Sequence, residues 1–184
     1  MTDTQWGRFI VFHQETENKP HTYAGSVHAP DSDLALLNAR DVFVRRPKCV
    51  SLWIVSERDV FSCTAEELVS IAKRHEMSSA SDATSEIYTL IQKSAHKGSY
   101  IYKGEVSAST PEHALTTAFK TIAARKALAW WVIPSRKIRR STAEDIESLF
   151  QPAITKDYRD QANFHTVTAL QSIKTHSQDT LDEA

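Results

Sequence analysis

The 184-residue chain is 41% hydrophobic and 24% charged, enough to bury one ordinary core or two small ones. Its formal net charge of −1 supplies no global field that would steer it to nucleic acid or an anionic membrane, so a partner of either kind is not expected. No segment approaches the roughly 18 apolar residues of a spanning helix, MTDTQWGRFIVFHQ has no basic start before a long apolar run, and Cys49 and Cys63 match no zinc spacing, so a cytoplasmic protein with reduced thiols is expected.

A strand near residues 8–14, the polar turn ETENKPH and a second strand near 22–29 predict a hairpin. Along the second strand Tyr23, Gly25, Val27 and Ala29 alternate, which assigns them to one packed face, while Ser26 and His28 point the other way. A glycine on that face would let a helix approach the backbone closely. Asp31 or Ser32 can cap a helix whose Ala35, Leu36, Ala39, Val42 and Phe43 form one stripe, and Arg45 and Arg46 at its end complement its dipole. The third strand, VSLWIV at 50–55, is apolar nearly throughout and needs cover on both sheet faces, of which one small helix supplies only one. Thr64, with Glu67 three residues on, opens a further short helix.

Residues 76–85, EMSSASDATS, are small and polar and predict a linker, after which the same order of elements begins again. A shift of 79 positions aligns Phe9 with Tyr88, Tyr23 with Tyr102, Gly25 with Gly104, Val27 with Val106, Ala29 with Ala108, and Ala35, Leu36 and Ala39 with Ala114, Leu115 and Ala118. After a one-residue slip Trp53 meets Trp131, Arg58 meets Arg136, and Thr64, Ala65 and Glu66 meet Thr142, Ala143 and Glu144. In this second copy Thr110 is the cap, Pro111 fills the first helical turn, and AWWVI at 129–133 is the third strand. The expected fold is α+β: two tandem copies of a small β-β-α-β unit forming a pseudo-dimer, with an extended C-terminal tail. Its segments are 1–75 (first copy), 76–85 (linker), 86–150 (second copy) and 151–184 (tail). The second cover on each third strand is then the other copy, a partner protein, or both.

Eight histidines invite a metal site, yet the sequence holds no HExxH, no paired His at i and i+4, and no Glu followed three residues later by His, the step that helical di-iron sites use. G-x-S-x-G, Walker A and G-x-G-x-x-G are absent, and four glycines leave little for a phosphate cradle, so no cofactor is expected. The stretch from Lys120 to Arg140 holds Lys120, Arg125, Lys126, Arg136, Lys137, Arg139 and Arg140 around Trp130 and Trp131 and contains no acid. Cations flanking a buried strand suit an acidic protein partner better than nucleic acid, because no RNP-like aromatic signature accompanies them.

Residues 21–55, HTYAGSVHAPDSDLALLNARDVFVRRPKCVSLWIV, closely resemble the central block of the PaaB family. The matching features are Gly25, Ser26, His28, Ala29, Ala35, Leu36, Asn38, Ala39, Arg40, Asp41, Arg45, Arg46, Cys49, Ser51 and Trp53. Phe150, Pro152, Ala153, Lys156, Tyr158, Arg159, Phe164 and Thr166 resemble the family's C-terminal segment. The resemblance implies a B subunit of a ring-1,2-phenylacetyl-CoA epoxidase: a non-catalytic adaptor without cofactors that bridges the catalytic di-iron subunit and the structural subunit. A flavin and iron-sulfur reductase is a further partner in that family. It implies His28, Arg40, Arg45, Arg46, Trp53, Lys156, Tyr158, Arg159 and Phe164 as partner-binding residues. The usual member has one copy, so two copies in one chain would stand in for a homodimer. The second copy departs from the pattern, with Ser107 for His28, Phe119 for Arg40, and Ala124 with Arg125 for Arg45 and Arg46. A competing expectation is a small stand-alone α/β enzyme acting on an apolar or aromatic substrate, with His28 or His21 as base. Another is a nucleic-acid module built on residues 120–140.

Overall fold

The computed structural model describes residues 6–44, 49–76, 85–121 and 127–150. The strands are β1 (Gly7–Gln14), β2 (Thr22–Ala29), β3 (Ser51–Ser56) and β4 (Phe61–Thr64), then β5 (Glu86–Lys93), β6 (Tyr100–Ala108), β7 (Ala129–Pro134) and β8 (Arg139–Arg140). The helices are α1 (Ser32–Phe43), α2 (Ala65–Glu76), α3 (Pro111–Thr121) and α4 (Ala143–Leu149). Their starts follow local chemistry. Asp31, not Ser32, caps α1, its Oδ1 accepting from the Leu34 N–H at 2.8 Å. Thr110 Oγ1 accepts from the His113 N–H at 3.1 Å at the head of α3. Glu67 accepts from the Thr64 N–H at 2.8 Å and Asp145 from the Thr142 N–H at 2.7 Å, two capping boxes at equivalent places.

The architecture is α+β, with all strands in one antiparallel sheet of order β4-β7-β5-β6-β2-β1-β3-β8. Read outward from the centre, each half runs second strand, first strand, third strand, and ends on a short strand from the other half of the chain. Thus β4 pairs with β7, and β8 pairs with β3. The helices that follow cross over too. Leu68 and Ile71 of α2 join the core of the second unit with Ala114, Leu115, Ala118 and Trp130, while Phe150, just after α4, joins Ala35, Leu36, Ala39 and Leu52 in the first. The sequence expectation contained neither β4 nor β8. Four residues and two residues are too short for period-two patterning to register.

At the centre β2 and β6 share one register pair, Thr22 with Ile101, reinforced by Tyr102 N–H donating to the His21 carbonyl at 2.9 Å. The sheet bends sharply around this join. Phe12 on β1 and Trp131 on β7 are four strand steps apart, roughly 19 Å on a flat sheet, yet their ring centroids lie 6.2 Å apart. The concave face therefore closes on itself, and α1 and α3 cover the convex face. This supplies the two-sided cover that the third strands require: Leu52 and Ile54 pack toward α1, Trp53 and Val55 toward the other half.

The expected single face for Tyr23, Gly25, Val27 and Ala29 is corrected by a bulge. Val11 pairs with Gly25 but Phe12 pairs with Tyr23, so Ala24 is an extra residue and the alternation changes phase there. Val27, Ala29 and Ala24 pack toward α1, whereas Tyr23 joins the concave cluster. Leu90 with Gly104 and Ile91 with Tyr102 repeat the device at Lys103. The glycines at these bulges have φ of +152° and +146°, conformations that L side chains resist. The close helix approach expected at both occurs only at Gly25, where an added Cβ would sit 2.6 Å from the Phe43 ring; at Gly104 it would meet nothing within 4 Å among the described residues. Val42, assigned to the buried stripe of α1, is 56% exposed. At 3.6 residues per turn it lies roughly 60° from the centre of the stripe that Ala35, Ala39 and Phe43 define.

The two glycines therefore separate backbone strain from steric contact. Gly104→Ala should cost about 1–2 kcal/mol of unfolding free energy through φ alone. Gly25→Ala should cost about 1 kcal/mol more, because Phe43 must also move. Urea denaturation of the two variants measures both; equal losses would mean that Phe43 yields freely.

Candidate functional site

The concave seam is built by matched aromatic residues from both halves. Trp53 of β3 meets Tyr102 of β6 edge-on at 5.2 Å, and Trp131 of β7 meets Tyr23 of β2 edge-on at 5.4 Å. Within each half the tryptophan is also stacked, Trp53 on His21 at 3.6 Å and Trp131 on Tyr100 at 3.7 Å. A cation tops each stack: the Arg140 guanidinium lies 4.7 Å from the Trp53 ring, and the Lys93 ammonium 5.5 Å from the Tyr100 ring. Edge-to-face pairs contribute about 0.5–1.5 kcal/mol each beyond their buried area, so the seam is a joint as well as a surface.

His21 is buried, shares a 3.0 Å hydrogen bond with Ser51 Oγ, and has its pKa lowered to about 4 by desolvation first and then by the charges of Arg140 and His13. It is thus a neutral packing group whose ring face is occupied by Trp53, an unsuitable arrangement for the base role considered for it. His28, the other candidate base, is exposed near the opposite end of β2, and its carbonyl accepts from Asn38 Nδ2 at 3.2 Å, which ties β2 to α1. The thiols of Cys49 and Cys63 are pushed up to about 11, chiefly by burial, so both remain protonated at neutral pH. Among the described residues no group of three or more His, Cys, Asp or Glu is placed to hold a metal ion, and no helix is long and apolar enough to cross a membrane.

The nine residues expected to meet partners are distributed unevenly. Arg40 lies on α1 and pairs with Asp41 at 2.6 Å, and His28 is on the sheet surface. Trp53 is 8% exposed, its surface taken by the chain's own His21, Tyr102 and Arg140. Arg45, Arg46, Lys156, Tyr158, Arg159 and Phe164 lie outside the described residues, as do the linker between 77 and 84 and the tail from 151.

The basic stretch is corrected in part. Arg136 pairs with Glu86, Lys137 with Asp59 at 3.6 Å, Arg139 with Asp33 at 2.8 Å and Arg140 with Glu105 at 2.6 Å. Strand exchange carries residues 139–140 onto the first unit, where Arg139 meets Asp33 while Arg140 reaches back to Glu105 on β6, so these four cations hold the protein to itself. The side chain of Lys120, together with Arg125 and Lys126, lies outside the described residues. Sequence reasoning named His21 only as a candidate base, Arg140 only within the basic stretch and Tyr102 only as the repeat partner of Tyr23, and it did not name Tyr100 or Glu105. The repeat alignment of Tyr23 with Tyr102 and Trp53 with Trp131 was the signal that could have found the seam.

A family model described as PaaB, phenylacetic acid degradation B, matches residues 5–80 and again residues 84–171. A relative from Escherichia coli (strain K12), the B subunit of its 1,2-phenylacetyl-CoA epoxidase, is 34% identical over 67 residues, which cover 36% of this chain and 70% of that one. No solved structure matches the chain.

Because the folded state holds His21 neutral, the unfolded chain takes up a proton that the folded chain refuses. The resulting stability is complete above about pH 6.5 and is lost as pH falls from there toward 4. The loss should reach on the order of 3 kcal/mol. His21→Phe keeps a ring against Trp53 but cannot titrate, so its unfolding free energy should fall less over that interval. Urea denaturation across pH 4–7 checks this, and an unchanged slope would assign the acid sensitivity to another group.

Proposed function

The chain belongs to the PaaB family, phenylacetic acid degradation B, and from that membership and the interlocked sheet we propose that it is a non-catalytic adaptor of a multicomponent di-iron monooxygenase. The oxygenase is of the phenylacetyl-CoA epoxidase type, and the chain bridges its catalytic and structural subunits in aerobic phenylacetate catabolism in the cytoplasm. The relative from Escherichia coli is named as a subunit of such an epoxidase. One observation carries the reading: the family model matches twice, and the two matched stretches exchange edge strands to form one continuous sheet. The chain is then a single-polypeptide pseudo-dimer, with copies at 1–75 and 86–150, a linker at 76–85 and a tail at 151–184. Covalent linkage makes the pairing independent of concentration.

In this reading the seam is spent on joining the copies, and partners engage the outside. His28 and Arg40 face outward on the first unit, Trp53 holds that wall from behind, and Arg45, Arg46, Lys156, Tyr158, Arg159 and Phe164 complete the contact. The reductase docks on the assembled complex. No step of the chemistry is assigned to this chain, and the nucleic-acid alternative is not adopted, since the cations at 136–140 serve internal ion pairs.

Co-expression with the catalytic and structural subunits, followed by size-exclusion chromatography, should give co-elution with both. A His28→Ala/Arg40→Ala double variant should weaken that association about tenfold or more, as loss of interface anchors does. Its thermal unfolding should stay unchanged, because both side chains are at the surface. Elution of the wild-type chain apart from both subunits would refute the adaptor role, as would unaided turnover of an aromatic thioester.

A further inference from the structure

Contacts between two repeats related by a two-fold take one of two forms: they occur as a pair that the rotation exchanges, or a residue meets its own counterpart and marks the axis. The aromatic seam is of the first form. Trp53 with Tyr102 at 5.2 Å exchanges with Trp131 and Tyr23 at 5.4 Å, and Tyr23 with Tyr100 at 6.3 Å exchanges with Tyr102 and His21 at 6.5 Å. Both copies carry the tyrosine, at 23 and 102, and the tryptophan, at 53 and 131. These contacts would serve a unit paired with its own kind equally well.

Two contacts are of the second form. Thr22 pairs in register with Ile101, its counterpart 79 positions on. Beyond the third strands a single 3-10 turn follows in each copy, Glu57–Asp59 after β3 and Ser135–Lys137 after β7. The 78-position displacement that aligns these strands puts Asp59 on Lys137, and the Lys137 ammonium lies 3.6 Å from the Asp59 carboxylate. Thr22 and Ile101 are uncharged, and each could ladder with a copy of itself. At 59 and 137 that is opposed: the first copy against itself sets two carboxylates together, and the second sets two ammonium groups together. Arg139 with Asp33 at 2.8 Å also joins the copies but makes no such distinction. Its counterparts are Phe61 and Glu112, so own-kind pairing there would set aspartate beside phenylalanine or arginine beside glutamate, never like charges.

We propose that Asp59 and Lys137 are the charge key of the joint, selecting the pairing of one copy with the other and opposing the pairing of either with its own kind. This deepens the pseudo-dimer reading, on which it rests, by naming what tells the two halves apart.

In the full chain, Lys137→Asp sets at the axis what the first copy would meet in a copy of itself, and Asp59→Lys what the second would meet. Each should lower the folded-to-unfolded ratio in urea about fivefold, as exchanging an attraction for a repulsion at a partly exposed site does. The double reversal, Asp59→Lys with Lys137→Asp, should recover the ratio to within about twofold, and about 1 M NaCl should erase the differences. Selection itself is read on the whole chain opened once, at a protease site placed within residues 76–85, then unfolded in urea, refolded and weighed by native mass spectrometry. Pairs of unlike halves should predominate; Lys137→Asp should raise the ratio of like to unlike pairs about fivefold, and the double reversal should return it. Single reversals without effect, a double reversal no better than either, or a like-to-unlike ratio that Lys137→Asp leaves unchanged overturns the proposal. Tyr102→Leu reports on the seam separately. A chain whose stability it leaves undiminished refutes the pseudo-dimer reading itself, whereas a destabilised chain with uncoupled charges at 59 and 137 refutes only the key.

Discussion

The fold depends on two tryptophans that each lean on a tyrosine of the other half. Trp53 against Tyr102 and Trp131 against Tyr23 are the contacts across which the sheet closes, and the backbone join beneath them is a single register pair. With so little ladder between β2 and β6, hydrogen bonding alone would leave a hinge. Aromatic burial on the concave side fixes its angle, and the third strands can be apolar on both faces only because that angle is closed. The bulges at Ala24 and Lys103 serve the same end: each changes the alternation so that one strand sends alanine and valine to the helices and tyrosine to the seam.

Strand exchange makes the joint two-sided. Once β4 has paired with β7 and β8 with β3, neither half can leave without carrying a strand of its neighbour's sheet. The cores record this, since Leu68 and Ile71 are buried in the second unit and Phe150 in the first. Arg140 adds a tie across the closed side: it pairs with Trp53 in register, lies over that ring, and reaches Glu105 on β6. Such an ion pair is modest alone because it is partly exposed. Held over an aromatic face, it orients the edge strand as well as contributing energy.

Much of this was legible in the residues. Period-two runs placed β1 and β2, the stripe Ala35, Leu36 and Ala39 placed α1, Thr64 with Glu67 located a capping box to the residue, and the repeat alignment of Thr64 with Thr142 pointed to its counterpart. The apolar third strands even demanded a second cover. Sequence could not show which face Tyr23 takes, because one inserted residue inverts every assignment beyond it and leaves no compositional trace. Nor could it show where the cations at 136–140 go. Their partners Asp33, Asp59, Glu86 and Glu105 are scattered along the chain, and Asp33 meets Arg139 only after β8 has paired with β3. The residues expected to meet partners rest on resemblance alone, since exposed arginines and histidines have no periodic signature.

The two stretches that the family model matches are also free to differ in sequence, which two identical chains about a dyad are not. In the first half the stack on Trp53 uses His21 with Arg140 above it; in the second the stack on Trp131 uses Tyr100 with Lys93 above it. The residue opposite Trp53 across the edge ladder is Arg140, and the one opposite Trp131 is Ser62. A cation beside His21 helps to keep that ring neutral, whereas a tyrosine at the same place needs no such control. The geometry of the joint is therefore kept twice while its chemistry is chosen separately on each side. The same divergence puts Leu34 and Leu37 on α1 where the repeat alignment puts His113 and Thr116 on α3.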